Sequence, residues 1–520
     1  MSSTSIYTAG QTHSSSLDVN QRHLASPRLN WDILLLVVNE LIGVEWEEWD
    51  QVVSVLSLMQ TCHTLYKAGM PYLLRSPNYR VFGEAKDTAL AFTTFVLQDP
   101  RRPLFISKLY LATCNKTCVT KLDSDLALAV GRVLNMTENI KIISIPSSEE
   151  WFSSSSQFPL AFLSLNKLTS VSLFEIGSNT VKTLGKLCSP VSYLELDFDL
   201  YEPKHLRLPS DFTHHLSEIK LLQCTHVLRD ESAVYPKTTK LVLQPINQLN
   251  IAALMRSFPN VTSLTVGEGH IFGNRRLSQA QLGNFSGVRW TTLDYLHISV
   301  ESYHTLSLSC RASVWECVDI GWHLRRFTTV LQAIRPSRLS LNFSSQEWSR
   351  SSVKDYLPVL EQEAITHLRF IVNMNEGEST STTRQILDEL AAVTHNLLSL
   401  AFLEIRILRA MNRRIPFQWK SPRKPDPGND YLQKLDVNAY AMQFATTPKL
   451  ENFCFRLMRS ERVSIRHDEP RRLDSFWAVE RGPTGQDPKM VKLTMKDREK
   501  YDDGFSKIDD SEYFALMLPL

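Results

Sequence analysis

The chain of 520 residues has little that would commit it to one kind of chemistry. Its 57 basic and 55 acidic residues almost cancel, so no net charge attracts nucleic acid or an anionic membrane surface. Its eight cysteines include no C-x-x-C pair, so neither a zinc ribbon nor a disulfide scaffold is indicated. A reducing compartment therefore fits best.

Long hydrophobic runs are also absent. The most apolar run, residues 33–38, is far too short to span a bilayer and is followed at once by Asn39 and Glu40. The first residues are rich in Ser and Thr and lack the apolar core of a signal peptide, so we expect a disordered leader over residues 1–25. These features predict a protein of the cytoplasm, the nucleus or both, with no membrane and no nucleic-acid partner.

Motifs that carry catalysis are missing as well. The sequence has no G-x-S-x-G elbow, no H-E-x-x-H pair and no P-loop. In the stretch VTSLTVGEGHIFGNRR, Phe272 stands where a dinucleotide fingerprint needs its third glycine, so a loop explains the glycines better. The pair His214–His215 and the residues 467–469 are interpreted as surface residues, and the basic residues 412–430 as a solvated loop. We expect no enzyme, with no catalytic residue, metal or cofactor.

A helical head over residues 26–76 is the first positive feature. In LNWDILLLVVNELIG the apolar residues recur at helical spacing, Asn30 is placed to cap the helix, and Gly43 ends it. The stretch DQVVSVLSLMQTCHTLYKAGMPYLLR predicts two more short helices, the last bent or broken at Pro71. Three such helices are too few to bury a robust core alone, so a unit of this kind usually needs a partner.

This head resembles an F-box, whose pattern begins L-P-x-E followed by apolar residues. Asn30 replaces the usual proline and Asp32 the usual glutamate, while Cys62 and Leu65 match the closing half of the motif. The resemblance implies binding to the Skp-family linker of a cullin–RING ubiquitin ligase. The linker-binding residues that it implies are Leu29, Asn30, Asp32, Ile33, Leu34, Val37, Leu41, Leu56, Cys62 and Leu65. The alternative interpretation is an ordinary helical cap on the domain that follows.

A phrase of the form apolar-x-x-apolar-x-apolar recurs through the body. Its copies are ISKLYL, IKIISI, LTSVSL, VSYLEL, LSEIKL, TTKLVL, VTSLTV, LDYLHI, WECVDI, PSRLSL, ITHLRF, LLSLAF, LQKLDV and LENFCF. Helix-like stretches lead into several copies, as in RRFTTVLQAIRPSRLSLNF. The pattern predicts an α/β fold, an irregular leucine-rich-repeat-like solenoid over residues 77–460, with a parallel sheet on its concave side and helices on its convex side. A doubly wound α/β domain is the alternative.

The last residues, 461–520, are expected to form a C-terminal cap or tail, in which MVKLTM favours one more strand. Within the body, the stretch YLELDFDLY alternates apolar residues with carboxylates. Strand periodicity places the carboxylates together on the concave face: Glu195, Asp197 and Asp199. They are either a solvated strand surface or a docking site for a basic segment of a target.

Together the head and body are similar to a substrate-recognition subunit of an SCF-type cullin–RING ubiquitin ligase. In such a protein the F-box binds the Skp-family linker and the repeats bind a protein target, whose identity the sequence does not reveal. The contribution to ubiquitin transfer is then proximity alone. The alternative is a leucine-rich-repeat-like binding scaffold with a helical cap and no ligase role.

Overall fold

The structure is a computed structural model. It describes residues 56–61, 63–75, 78–81, 85–113, 122–198, 208–222, 233–244, 251–267, 289–318, 320, 324–344, 355–361, 364–374, 380–410, 431–432, 434–460, 472–482 and 488–494. The chain divides into two compact units, Met1–Arg75 and Ser76–Leu520.

The described part of the first unit is helical. Residues 56–59 form one helical turn, and helix α1 spans His63–Arg75 with Pro71 inside it. Met59 and Leu65 are buried. Gly69 allows the close approach of the two segments, because a Cβ there would lie 2.5 Å from the Cγ of Met59.

The described residues of the second unit form one sheet of sixteen strands, whose spatial order is their order in the chain. The strands are β1 (Asn78–Val81), β2 (Lys108–Thr113), β3 (Ile142–Ile145), β4 (Ser170–Ile176), β5 (Tyr193–Phe198), β6 (Glu218–Leu222), β7 (Lys240–Gln244), β8 (Ser263–Val266), β9 (Thr292–His297), β10 (Arg311–Cys317), β11 (Arg338–Ser344), β12 (His367–Met374), β13 (Phe402–Ala410), β14 (Asn452–Ser460), β15 (Arg472–Glu480) and β16 (Lys489–Lys492).

Strand direction confirms an α/β fold with a largely parallel, open sheet of solenoid-like order. Each strand from β2 to β14 runs parallel to the strand before it. A doubly wound sheet is excluded, because its strand order reverses at a switch point. The last two described strands, β15 and β16, are antiparallel to their predecessors, an exception to the parallel order that the repeated phrase predicts. Strand β16 lies at the expected MVKLTM segment.

Helices connect many of the strands and cover one face of the sheet. They are α2 (Ala85–Leu97), α3 (Ser124–Met136), α4 (Ser148–Ser154), α5 (Gln157–Leu163), α6 (Ser178–Leu184), α7 (Ile251–Ser257), α8 (Val300–Thr305), α9 (Leu324–Ile334), α10 (Leu357–Glu361), α11 (Thr380–Thr394) and α12 (Val437–Ala445). Trp315 of β10 stacks on Phe327 of α9 with ring centroids 5.8 Å apart, and Phe444 of α12 stacks on Phe453 of β14 at 4.8 Å. We call the opposite side of the sheet the open face.

A ladder of hydroxyl groups joins successive repeats just before their strands. The backbone N–H and the hydroxyl of Ser192 both donate to the carbonyl of Thr169, at 2.8 and 3.0 Å. Ser217 makes the same pair of bonds to Ser192, at 2.8 and 2.9 Å, and Thr366 to Ser337, at 2.8 and 3.1 Å. The hydroxyl at the second position of the phrase therefore fixes one repeat against the one before it.

Three of the predicted strand phrases were placed wrongly. Strand β10 contains ASVWEC, a stretch that begins three residues before the predicted phrase WECVDI. Strand β13 begins within LAFLEI, a stretch that begins three residues after the predicted phrase LLSLAF. LQKLDV contains no strand among its described residues, since it leads into α12, which Asp436 caps by accepting a hydrogen bond from the Ala439 N–H. These three errors occur in segments where apolar residues are so frequent that their spacing does not determine where the strand lies.

Candidate functional site

The strand register brings five side chains from distant parts of the chain into one row on the open face. Glu316 pairs with Ser340, Ser340 with Arg369, Arg369 with Glu404, and Glu404 with Cys454. Successive side chains along a strand point to opposite faces of the sheet. The residues of this row therefore lie on the open face, and their neighbours in sequence point into the helix-covered core. The row runs through β10, β11, β12, β13 and β14 and forms the centre of the candidate site.

Glu404 is the centre of the row and is fully buried. One carboxylate oxygen, Oε2, accepts a hydrogen bond of 2.6 Å from Arg369 Nε. The other, Oε1, accepts one of 2.6 Å from Arg406 Nε and lies 2.9 Å from Arg456 Nε. Burial alone would raise the pKa of this carboxyl group, but the three guanidinium charges outweigh burial and lower it. Glu404 is therefore a fixed negative charge at neutral pH.

Glu316 extends the network to β9. Its carboxylate lies 3.4 Å from Arg369 Nη1 and 3.4 Å from His297 Nδ1, and it accepts a 2.7 Å hydrogen bond from the Tyr295 hydroxyl. Burial would raise the pKa of Glu316, but the contacts with His297, Arg369 and Tyr295 together lower it to about 2. Arg369 thus lies between two buried carboxylates.

Aromatic and apolar side chains flank the charged row on the same face. Phe402 and Cys454 are buried together, with Val314 and Phe476 packed against them and partly buried. The Arg456 guanidinium lies 5.5 Å from the centroid of the Phe476 ring. The site therefore combines arginines with aromatic rings, a composition typical of the centres of protein interfaces.

The predicted acidic strand is β5, in which buried and partly buried residues alternate. Leu194 and Leu196 are buried, whereas Glu195 and Asp197 are intermediate in exposure. Glu195 accepts hydrogen bonds of 3.0 Å from the hydroxyls of Ser172 and Tyr193, and it pairs in register with a lysine of β6.

Asp199 lies outside the described residues. The docking role of the acidic strand stays a prediction.

Two of the linker-binding residues predicted for the head are described. Leu56 is 40% exposed, and Leu65, on α1, is buried. The others lie outside the described residues: Leu29, Asn30, Asp32, Ile33, Leu34, Val37, Leu41 and Cys62. Their role stays a prediction from the F-box resemblance.

Of the histidine-containing, glycine-rich and basic stretches of the sequence, the structure describes only part. His214 and His215 are exposed in a 3-10 helix over residues 210–214 and the residue after it. Gly267 ends the described part of the glycine-rich stretch, while residues 467–469 and 412–430 lie outside it.

The charge network was missed by sequence reasoning, although a signal was present. Charged residues interrupt three largely apolar strand segments: one in HLRFIVNM, two in FLEIRIL and one in NFCFRLM. A charge is buried only when it is paired, so three such strands indicate mutual partners. Which residues pair depends on strand register, which the sequence does not state.

The buried carboxylates and arginines of this site provide charges that stay fixed at neutral pH. Both buried carboxylates are held ionised by their partners, so neither is tuned to exchange a proton near neutral pH. Within the described residues no group of three or more His, Cys, Asp or Glu side chains is placed to hold a metal ion. In the same part of the chain, no helix is long and apolar enough to cross a membrane. The row is therefore suited to holding fixed charges within the sheet, and not to proton transfer.

Comparison with known proteins does not assign this chain to a family. No family model matches it, and no curated protein matches it.

Proposed function

We propose that the chain is a non-catalytic substrate-recognition subunit of an SCF-type cullin–RING ubiquitin ligase. In this proposal the head binds a Skp-family linker and the body binds a protein target. The observation that supports it best is the division into two compact units, Met1–Arg75, whose described residues are helical, and Ser76–Leu520, whose described strands form one sheet. An adaptor needs two separate binding ends of this kind, because it acts by bringing a target to other subunits.

The open face of the body supports the target-binding half of the proposal. Sixteen strands in one open sheet provide an extended surface, and solenoids commonly bind partners on such a surface. That face carries both the arginine-rich row around Glu404 and the carboxylates Glu195 and Asp197. Charges of both signs on one face favour selective docking of a protein segment.

The linker-binding half is tested by co-expressing the full chain with a Skp-type linker and purifying the complex. Leu56→Asp should abolish co-purification, because Leu56 is 40% exposed and a charge there would be placed in the proposed interface. Leu34→Asp should act in the same way if the first helix follows the F-box pattern. Leu160→Asp is the matched control, since Leu160 lies on α5 of the body and is 67% exposed.

Deleting residues 26–76 separates the proposal from the helical-cap alternative. An adaptor should lose the linker while its body keeps cooperative unfolding, because each repeat depends mainly on its neighbours. A cap should instead expose the first repeat, so that the remaining chain aggregates or melts early. Linker binding that survives both the deletion and Leu34→Asp would show that the F-box assignment is wrong.

A further inference from the structure

Among the described strands, β16 forms the last edge of the sheet. It pairs with β15 on one side, from Glu480 opposite Lys489 to Trp477 opposite Lys492, and no described strand lies on its other side. We call that other side the outer edge. A strand at the edge of a sheet presents backbone N–H and C=O groups to which a further strand can pair.

The hydrogen bonds between β15 and β16 show which backbone groups face the outer edge. The Leu493 N–H donates to the Phe476 carbonyl at 2.8 Å, so the backbone groups of Leu493 point toward β15. In an antiparallel pair, successive residues point their backbone groups to alternate sides of the strand. Val491 therefore also faces β15, whereas Met490 and Lys492 face the outer edge.

The neighbouring strand pair agrees with this alternation. Val479 lies opposite Met490, and its N–H donates at 2.8 Å to the carbonyl of Glu451, just before β14, and not to β16. Within the described residues no hydrogen bond reaches the backbone groups of Met490 and Lys492. The outer edge therefore offers the N–H and C=O groups of both residues to an added strand.

The side chains of β16 are open to solvent on both faces of the sheet. Val491 is 39% exposed, Lys489 and Lys492 are exposed, and Met490 is intermediate. A second copy of this strand would bring its own lysines to the same short edge, and like charges side by side destabilise a sheet. The edge is therefore better suited to a partner of opposite charge.

The charge of the edge is positive among the described residues. Neither Lys489 nor Lys492 has an ion-pair partner there, although the exposed Glu480 lies opposite Lys489 in register. Arg481, beside Glu480, adds a positive charge, since its described hydrogen bonds go to backbone carbonyls, at 2.7 and 2.9 Å. Charge complementarity at such a surface favours an acidic partner.

We propose that the outer edge of β16 binds an extended segment of a partner protein with the pattern acidic–apolar–apolar–acidic. The segment pairs with the backbone of Met490 and Lys492 as an added strand. Its acidic residues lie beside Lys489 and Lys492, and its apolar residues beside Met490 and Val491. The pattern reads the same in both directions, so it fits a parallel and an antiparallel strand alike. The inference goes beyond the proposed function, because it holds equally for an adaptor and for a scaffold without a linker.

Fluorescence anisotropy with the full chain and a labelled peptide tests the inference. The probe is a peptide that contains Glu-Val-Val-Glu between threonines, and the same peptide with Lys-Val-Val-Lys is the matched control. The acidic peptide should bind, and more weakly as salt increases, whereas the basic peptide should not bind. Lack of binding by the acidic peptide, or equal binding by the two, would overturn the inference.

Two substitutions of Met490 separate the backbone from the side chain. Met490→Pro removes an outward N–H, which a strand edge tolerates, and it should weaken peptide binding about tenfold. Met490→Ala keeps the N–H and is the matched control, so it should bind the peptide more tightly than Met490→Pro. Equal binding by these two variants contradicts the inference. A dimer of the wild-type chain that Met490→Pro dissociates would assign the edge to a second copy instead, and so overturn it as well.

Hydrogen exchange followed by mass spectrometry checks the facing of the strand. Val491→Pro removes an N–H that faces β15, so it should increase exchange in β15, whereas Met490→Pro should not. If Met490→Pro also increases exchange there, its N–H does not face the outer edge and the inference is wrong. Linker co-purification should be unaffected by these variants, so its failure bears only on the F-box.

Discussion

Replacing Glu404 by glutamine should destabilise the body more than any substitution of a surface carboxylate. The side chain keeps its size, but three guanidiniums that converge on it lose their shared negative charge. Glu404 is fully buried, so water cannot replace the lost charge. We expect a marked fall in the melting temperature and a local loss of hydrogen-exchange protection.

The magnitude follows from the contacts of the carboxylate. A hydrogen bond to a charged group contributes about 1.5–3 kcal/mol, and Glu404 accepts two, from Arg369 and Arg406. Removing one partner of a buried ion pair costs about 3–5 kcal/mol, because the remaining charge stays buried. We therefore expect a loss of about 3–5 kcal/mol. At about 1.4 kcal/mol for each factor of ten, protection in the affected strands should fall by about two to four powers of ten.

The loss should be local, because repeats in a solenoid-like unit are stabilised mainly by their neighbours. Hydrogen exchange followed by mass spectrometry should show it in strands β12, β13 and β14, with little change in β3 to β6. Glu195→Gln is the matched control: Glu195 lies on the same open face, is half-buried, and accepts hydrogen bonds that glutamine can also accept. That variant should stay within about 1 kcal/mol of the wild-type chain.

A double substitution tests the charge argument directly. Arg406→Gln in addition to Glu404→Gln leaves fewer buried guanidiniums without a carboxylate, so it should recover part of the lost stability. The reasoning is refuted if Glu404→Gln melts and exchanges like Glu195→Gln, or if the second substitution adds its full separate cost.

Three further predictions follow from the same structure. Changing Glu195, Asp197 and Asp199 together to Asn should alter stability by less than about 1 kcal/mol in urea unfolding, because Glu195 and Asp197 are only partly buried and water still screens their charges; unfolding by this change would contradict their facing. Glu316 has a folded pKa of about 2, below its ordinary 4.5, so its contribution is complete above pH 4.5 and is lost as pH falls toward 2. Acid unfolding of Glu316→Gln should lack that step, which is on the order of 3 kcal/mol. Among the described cysteines only Cys188 is exposed, so iodoacetamide should label it well before the buried thiols in the native state, as peptide mass spectrometry can check; equal labelling would contradict their burial.

Much of the fold could be predicted because the same short pattern, apolar-x-x-apolar-x-apolar, recurs in successive repeats. The copy LTSVSL contains the buried pair Val171 and Leu173 of β4 and the ladder residue Thr169 before the strand. The hydroxyl at the second position recurs in VSYLEL, LSEIKL, VTSLTV and ITHLRF, so it is a second local signal of the repeat. A local pattern of this kind is enough to place a strand and its buried face.

The phrase failed where both faces of a strand are apolar or buried. In β13 the residues from Phe402 to Leu408 are all buried except Arg406, so the period of two that marks a half-exposed strand is hidden. The same density of apolar residues made LQKLDV look like a strand when it precedes a helix. In these segments packing against neighbouring repeats, not the local pattern, decides the outcome.

The candidate site could not be predicted for a different reason. Arg369 lies 53 residues from Glu316 and 35 residues from Glu404 along the chain, and only the strand register places the three side chains together. Register across parallel strands depends on the length and packing of each intervening helix and loop, which no local pattern records.

The network also gives the register a reason that apolar side chains alone do not supply. Shifting β13 by two residues against β12 would keep every apolar side chain on its own face, so hydrophobic burial distinguishes the two registers weakly. The shift would place Arg406 opposite Arg369 in the position that Glu404 occupies. Two buried guanidiniums would then face each other without the carboxylate between them, at a cost of several kcal/mol. The charged row therefore selects one register among those that the apolar pattern permits, and this is a physical reason for placing charges in strands that would otherwise be wholly apolar.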